Sequence, residues 1–151
     1  MKLYNKLLCT AGTILFLTNT SLLATEKSAV SIMKNAYAYT GAMQQYAFDA
    51  IIMDEVPDTG NILKKYRHDL KVKVDRPGNL RVDINGDTRN RTNYIHNGTY
   101  TMVDHSFGYY GEIKVSDTID DTLDHLFISF GITPPLSALI FSDMGNRMQF
   151  K

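Results

Sequence analysis

Alternating apolar and polar residues between positions 70 and 115 constrain the fold of this chain more than any other feature of its sequence. In segments 70–74 and 80–84 every second residue is Leu, Val or Ile, and the residues between them are Lys, Arg or Asp. This period of two is typical of a strand with one face on a core and the other in water. The dipeptides Asn85-Gly86 and Asn97-Gly98 are predicted hairpin turns, because Asn and Gly tolerate positive φ. We therefore predict a half-buried antiparallel sheet, and no catalytic motif interrupts it.

The first 24 residues have the pattern of a secretory signal peptide. A short basic start precedes an apolar run over 7–17, and Ala24 ends the segment as a small residue at the expected cleavage site. The apolar run is too short for a membrane span, so we expect no transmembrane span after cleavage. The prediction is an exported protein whose mature domain covers 25–151.

The composition of the mature chain excludes several kinds of site. Cys9 is the only cysteine and lies in the signal peptide, so the mature chain has no disulfide, thiolate nucleophile or sulfur-ligated metal. The chain has 16 basic and 16 acidic residues, and removal of Lys2 and Lys6 leaves 14 against 16. A near-neutral chain lacks the positive field that drives nucleic-acid binding, so nucleic acid is not expected as a partner.

The order of predicted elements indicates an α+β domain. The sequence patterns predict a helix over 27–43, strands over 46–56, 62–74, 80–84, 89–96, 99–104 and 109–115, a helix from Thr118 to Gly131, and a short apolar helix over 136–141. The strands are predicted to form an antiparallel meander. The later helices need an apolar surface, so we expect them to pack on its concave face.

Four segments together carry a family resemblance: 75–83, 94–104, 118–126 and 135–143. In their order and spacing they resemble a family of predicted periplasmic proteins known as domain of unknown function 2092. Its members look like the lipoprotein-carrier superfamily, an unclosed antiparallel half-barrel with helices on the concave side. The resemblance implies a periplasmic location and a hydrophobic cavity for acyl chains, and it supplies no catalytic residue.

Members of that family continue with further strands beyond the point where this chain stops. The resemblance therefore implies that the chain carries only the N-terminal part of the domain, truncated at the C-terminus. The last strand would then lack a partner. From this we expect a marginally stable, aggregation-prone product, and a fragment without function is one alternative.

The polar residues offer few catalytic or metal sites. His96 and His105 lie on or beside neighbouring predicted strands and Asp104 adjoins His105, so a metal site made of these three residues is considered. Adjacent strand residues point to opposite faces, so Asp104 and His105 should not converge. Ser106, His105 and Asp104 are consecutive in a turn and lack a nucleophile elbow, so a catalytic triad is not expected.

A cluster of carboxylates surrounds the start of the helix after Thr118: Asp117, Asp120, Asp121 and Asp124. Their spacing differs from that of a calcium-binding loop. Negative charge in the first helical turn is favourable, so helix capping is the preferred interpretation. No metal or other cofactor is predicted.

A set of apolar residues is the remaining candidate site: Phe48, Ile52, Val72, Leu80, Val82, Tyr94, Met102, Tyr109, Leu126, Phe130 and Leu139. The residues alone favour an ordinary packed core, whereas the resemblance makes a ligand cavity an equal alternative. The predicted function is non-catalytic binding of a hydrophobic ligand, such as a lipid, an acyl chain or a lipoprotein, in the periplasm. The alternative is a protein-interaction or sensor domain of the cell envelope, and an enzyme is not expected.

Overall fold

A single antiparallel sheet forms the centre of the molecule in the computed structural model, which describes residues 28–59 and 62–148. The elements in chain order are α1 (Ala29–Ala42), β1 (Gln45–Pro57), β2 (Leu63–Asp75), β3 (Asn79–Gly86), β4 (Asn90–His96), β5 (Thr99–Asp104), β6 (Tyr109–Lys114), α2 (Ile119–Phe130), a 3-10 turn (Ser137–Leu139) and α3 (Met144–Arg147). The strands follow each other in the order β1 to β6, and every neighbouring pair is antiparallel. The predicted α+β meander is confirmed. The predicted signal peptide lies outside the described residues, and the domain boundaries stay predictions.

One face of the sheet, the covered face, carries the core. The alternation predicted on β2 and β3 is confirmed, and α2 packs on these strands with Leu123 and Leu126 at most 2% exposed. The buried residues of this core are Leu70, Val72, Val74, Leu80, Val82, Ile84, Ile95, Tyr100, Ile119, Leu123, Leu126 and Ile140. The opposite, open face carries the charged residues between these positions. Burial of apolar area on one face therefore fixes the strand register.

Helix α2 has the ends that its sequence predicts. The Thr118 hydroxyl accepts a hydrogen bond from the Asp121 amide at 3.2 Å, and Asp121 adds negative charge to the first turn. At the other end Gly131 adopts φ 65°, and its amide donates to the Phe127 carbonyl at 2.9 Å. These local contacts set the length of α2 before it packs on the sheet.

Helix α1 forms where a helix was predicted over 27–43, whereas the C-terminal segment differs from the expectation. Helix α1 has no buried residue and lies against α3 and the 3-10 turn. The helix predicted over 136–141 is wrong: only a three-residue 3-10 turn forms there. Leu136 has φ 59°, a left-handed conformation that a regular helix does not contain, and Pro134-Pro135 before it supply no amide donors.

Only one of the two predicted hairpin turns is present. Asn97 and Gly98 adopt φ 49° and 64° between β4 and β5, as the prediction requires. Asn85 and Gly86 instead belong to β3, where Gly86 pairs with His68. A side chain at position 86 would overlap His68, so this glycine permits close strand contact and the chain turns after it.

Arg76 joins the elements around the core. Its side chain is 7% exposed and donates to the Ile140 carbonyl at 2.6 Å, the Met43 carbonyl at 3.1 Å and the Tyr46 hydroxyl at 3.3 Å. It also faces Asp120 of α2 at 3.6 Å. We call these contacts the arginine clasp. They join the turn after β2 to the start of β1, to α2 and to the segment after the 3-10 turn.

Candidate ligand cavity

A cavity of about 230 Å³ lies between the covered face and α2. Strands β3, β4 and β5 form its floor, and α2 with segment 132–135 forms its other wall. Its apolar lining is Leu80, Val82, Ile84, Ile95, Tyr100, Met102, Leu123, Leu126, Ile132, Pro134 and Pro135. Ligand pockets for drug-sized molecules usually enclose about 300–1,000 Å³, so this cavity suits one slender apolar group.

Four residues of the predicted apolar set line this cavity: Leu80, Val82, Met102 and Leu126. Four others lie elsewhere on or beside the core. Val72 is 1% exposed in the packed core, Phe48 and Ile52 of β1 pack against its edge, and Leu139 is 37% exposed in the 3-10 turn. The structure therefore places seven of these eight residues in the cavity wall or in ordinary packing, and leaves Leu139 partly exposed outside both.

Three residues of the predicted set lie outside both the cavity and the core. Tyr94 lies on the open face, because Asn93 and Ile95 on either side of it line the cavity, and its ring lies 5.2 Å from the Arg81 guanidinium carbon. Tyr109 is 72% exposed on edge strand β6. Phe130 is 54% exposed although it shares the helix face of Leu123 and Leu126, and it is the last residue of α2. Their assignment to one cavity is corrected accordingly.

A polar strip along one side of the cavity was missed by the sequence interpretation. Arg89, Arg91 and Asn93 alternate along the chain and all line the cavity, together with Thr133. Asn93 accepts a hydrogen bond from the Tyr100 hydroxyl at 2.9 Å. The sequence did contain a signal for this strip. Every second residue before Ile95 is polar, and these residues lie on the same strand face as Ile95, which is buried.

Arg91 is neutralised by a carboxylate. Its Nε donates to Asp104 at 2.7 Å, and the Ser106 and Phe107 amides donate to the same carboxylate at 3.0 and 3.2 Å. The hydrogen bond from Arg91 lowers the pKa of Asp104, and the two amides lower it further. Asp104 therefore stays ionised and holds Arg91 at the cavity wall.

The guanidinium of Arg89 has no hydrogen bond or ion pair to any residue in 28–59 or 62–148. The nearest acidic residue in sequence is Asp87, whose carboxylate accepts the Arg67 amide at 2.8 Å. Arg89 is exposed at the start of β4 and lines the cavity from that end. The cavity thus has an apolar interior and one cation without a carboxylate partner among the described residues.

The open face has a larger depression of about 900 Å³, which suits an apolar ligand less well. It is wide open and carries many charged side chains: Asp49 and Lys71 line it, Arg81 donates to Asp83 at 2.9 Å, and the Thr92 hydroxyl donates to the same carboxylate at 2.9 Å. Partial burial raises the pKa of Asp83, but the hydrogen bonds from Arg81 and Thr92, together with the positive charges of Arg81 and Lys73, lower the pKa overall. We therefore place the candidate site in the smaller cavity.

The histidines and carboxylates do not form the metal site or triad that was considered. His105 Nε2 lies 2.8 Å from the Thr92 hydroxyl, and because that hydroxyl donates to Asp83, the histidine is the donor. His96 Nδ1 contacts Asn79 at 2.7 Å. Within the described residues, no three His, Cys, Asp or Glu side chains lie close enough to hold a metal ion.

Three of the four carboxylates at the start of α2 have structural partners. Asp121 accepts from Thr118 at 2.7 Å, Asp124 accepts from Arg147 at 2.7 Å, and Asp120 accepts the Ser142 amide at 3.1 Å. The capping interpretation is confirmed for Asp121. The other two carboxylates connect α2 to the C-terminal segment.

Comparisons with known proteins give a family and a location. No curated protein sequence matches this chain significantly. Within the described residues, none of the helices combines the length and apolar character that crossing a membrane requires. The family described as "Predicted periplasmic protein (DUF2092)" matches residues 29–150, nearly the whole described chain. The chain therefore belongs to this family of periplasmic proteins, whose function is unknown.

Proposed function

We propose that this periplasmic protein binds a hydrophobic or lipidated ligand in the cavity under α2, without catalysis. The observation that carries the proposal is the apolar cavity between the sheet and α2, lined by Val82, Met102 and Leu126. The resemblance of the family to the lipoprotein-carrier superfamily supports the same function, because carriers in that superfamily hold acyl chains between a sheet and its helices.

The physical basis of binding is burial of apolar surface. Each Å² of apolar surface removed from water contributes about 25 cal/mol, before the cost of association is subtracted. The half-buried Met102 has an unbranched, polarisable side chain that adapts to different ligand shapes. Because the cavity encloses only about 230 Å³, part of a long chain would extend beyond it or require α2 to move outward.

Replacement of Met102 by tryptophan should fill the cavity and weaken ligand binding. We expect the affinity for a neutral fluorescent probe, N-phenyl-1-naphthylamine, to fall about tenfold or more, which corresponds to about 1.4 kcal/mol. The matched control is Val103→Trp, since Val103 is the next residue of β5 and faces the opposite side of the sheet. Probe titration and thermal unfolding should be measured on both variants.

The control should bind the probe as the wild type does. The proposal is contradicted if the wild-type protein does not bind the probe. It is also contradicted if Met102→Trp binds as tightly as Val103→Trp while both retain the wild-type melting temperature.

A protein-interaction domain is the second candidate, favoured by edge strand β6. Tyr109 and Tyr110 are 72% and 74% exposed, and nearby Phe107 is 71% exposed and stacked on Tyr109. Exposed strand edges with aromatic side chains are suited to strand addition. If this function is correct, Tyr109→Ser with Tyr110→Ser should abolish recovery of one stoichiometric envelope protein and leave probe binding unchanged. Equal recovery with the double variant would argue against it.

A further inference from the structure

We propose that the cavity selects single-chain amphiphiles with an anionic head group, and that Arg89 binds this head group. The inference rests on the proposed function and specifies its ligand. The shared chemistry is a carboxylate or phosphate at one end of an alkyl chain. The chain would lie against Val82, Met102 and Leu126, while the head group stays at the start of β4.

The charge distribution in the cavity is one-sided. Arg89, Arg91 and Asn93 all belong to the start of β4 or the residue before it, whereas β3 and α2 contribute only apolar side chains to the lining. Alternate residues of a strand lie about 6.6 Å apart on the same face, so these polar groups form a short row. A ligand that matches this surface has one polar end and one apolar end.

The sign of the charge follows from the pairing of the two arginines. Arg91 is bound to Asp104 at 2.7 Å, so that pair contributes little net charge. Arg89 has no carboxylate partner in the described part of the chain, and the Asp87 carboxylate is bound to the Arg67 amide. The uncompensated charge at the cavity is therefore positive.

A guanidinium favours carboxylate and phosphate over other head groups. Its planar arrangement of N–H donors forms two parallel hydrogen bonds with either anion, and such charge-assisted bonds are stronger than neutral ones. An alcohol gains only a neutral acceptor contact, and an ammonium head group is repelled. The small cavity volume of about 230 Å³ favours one chain over two.

The test compares three ten-carbon competitors for N-phenyl-1-naphthylamine: decanoate, decyl phosphate and decanol. All are used below their critical micelle concentrations, at a pH where both acids are ionised, on the full chain. We expect each anion to displace the probe at about one-tenth of the decanol concentration or less. The anion that competes better identifies the source, a free fatty acid for decanoate or a phosphate-headed lipid for decyl phosphate.

Arg89→Gln should remove the preference for anions, so that decanoate, decyl phosphate and decanol displace the probe at similar concentrations. The control is Arg81→Gln, because Arg81 is an arginine on the open face that pairs with Asp83. This control should retain the full preference. Added salt should reduce the preference in the wild type, since it screens the exposed guanidinium.

The outcomes separate this inference from the proposed function. Absence of probe binding to the wild type contradicts the proposed function. Probe binding with equal competition by decanol and the two anions contradicts only the head-group inference. A preference for anions that survives in Arg89→Gln also overturns the inference, because another group would then provide the charge.

Discussion

Replacement of Arg76 by methionine is expected to lower the free energy of unfolding by about 3–5 kcal/mol. The variant would leave the Met43 and Ile140 carbonyls without their hydrogen-bond donor, and Asp120 without its nearby cation. Unsatisfied buried polar groups are costly because they have lost water and gained no partner. Methionine keeps much of the side-chain volume, so the loss measures the polar contacts of the clasp. Urea unfolding followed by circular dichroism would determine it.

Arg81→Met is the matched control for this experiment. Arg81 also pairs with an aspartate, but its side chain is 49% exposed on the open face. Exposed ion pairs contribute about 0–1 kcal/mol, so we expect a change within that range. If Arg76→Met were no less stable than Arg81→Met, the clasp would not be a major determinant of the fold.

Replacement of Gly86 by alanine is expected to cost about 3 kcal/mol of unfolding free energy. A Cβ atom at this position would overlap the His68 imidazole and the Arg67 carbonyl, and would lie 2.8 Å from the His68 Cα. His68 is 5% exposed, and its Nδ1 is buried without a hydrogen-bond partner among the described residues. Because the ring is buried, it has little room to move away from an added methyl group. Relief of the overlap requires β3 and β2 to separate locally.

Gly111→Ala provides the comparison within another strand of the same sheet. Nothing lies within 4 Å of a Cβ built at Gly111. The alanine should therefore change the stability by about 0.5 kcal/mol or less. Thermal and urea unfolding of both variants would measure the difference. Equal stabilities would show that the contact between β2 and β3 adapts to the added methyl group.

The exposed apolar surface bears on the expected tendency to aggregate. The ends of β1 and β2 extend past the end of β3, so residues 53–57 and 63–67 pair only with each other. In these ends, Met53, Val56 and Leu63 are each about half exposed. Strand β6 pairs on one side only within the described sheet. These surfaces are the regions where association would begin, so marginal stability and aggregation stay predictions for sedimentation and thermal unfolding.

Elements whose signals are local can be predicted from the residues alone. The alternation on β2 and β3, the positive-φ pair Asn97-Gly98 and the two ends of α2 follow from residues at most a few positions apart. Period-two burial, tight-turn geometry and helix capping each depend on such short separations. For this reason the meander and the long helix could be predicted without a structure.

The tertiary structure alone decided the contacts between distant parts of the chain. Arg76 meets Ile140 across 64 positions, and Gly86 is the last residue of β3, in close contact with His68, and not part of a turn. Tyr94 and Ile95 are neighbours in sequence, yet only the pairing of β4 with β3 and β5 determines which one faces the cavity. Arg89 became a candidate binding residue in the same way. Local patterns do not specify such positions, because they depend on strand register and on the place where α2 packs.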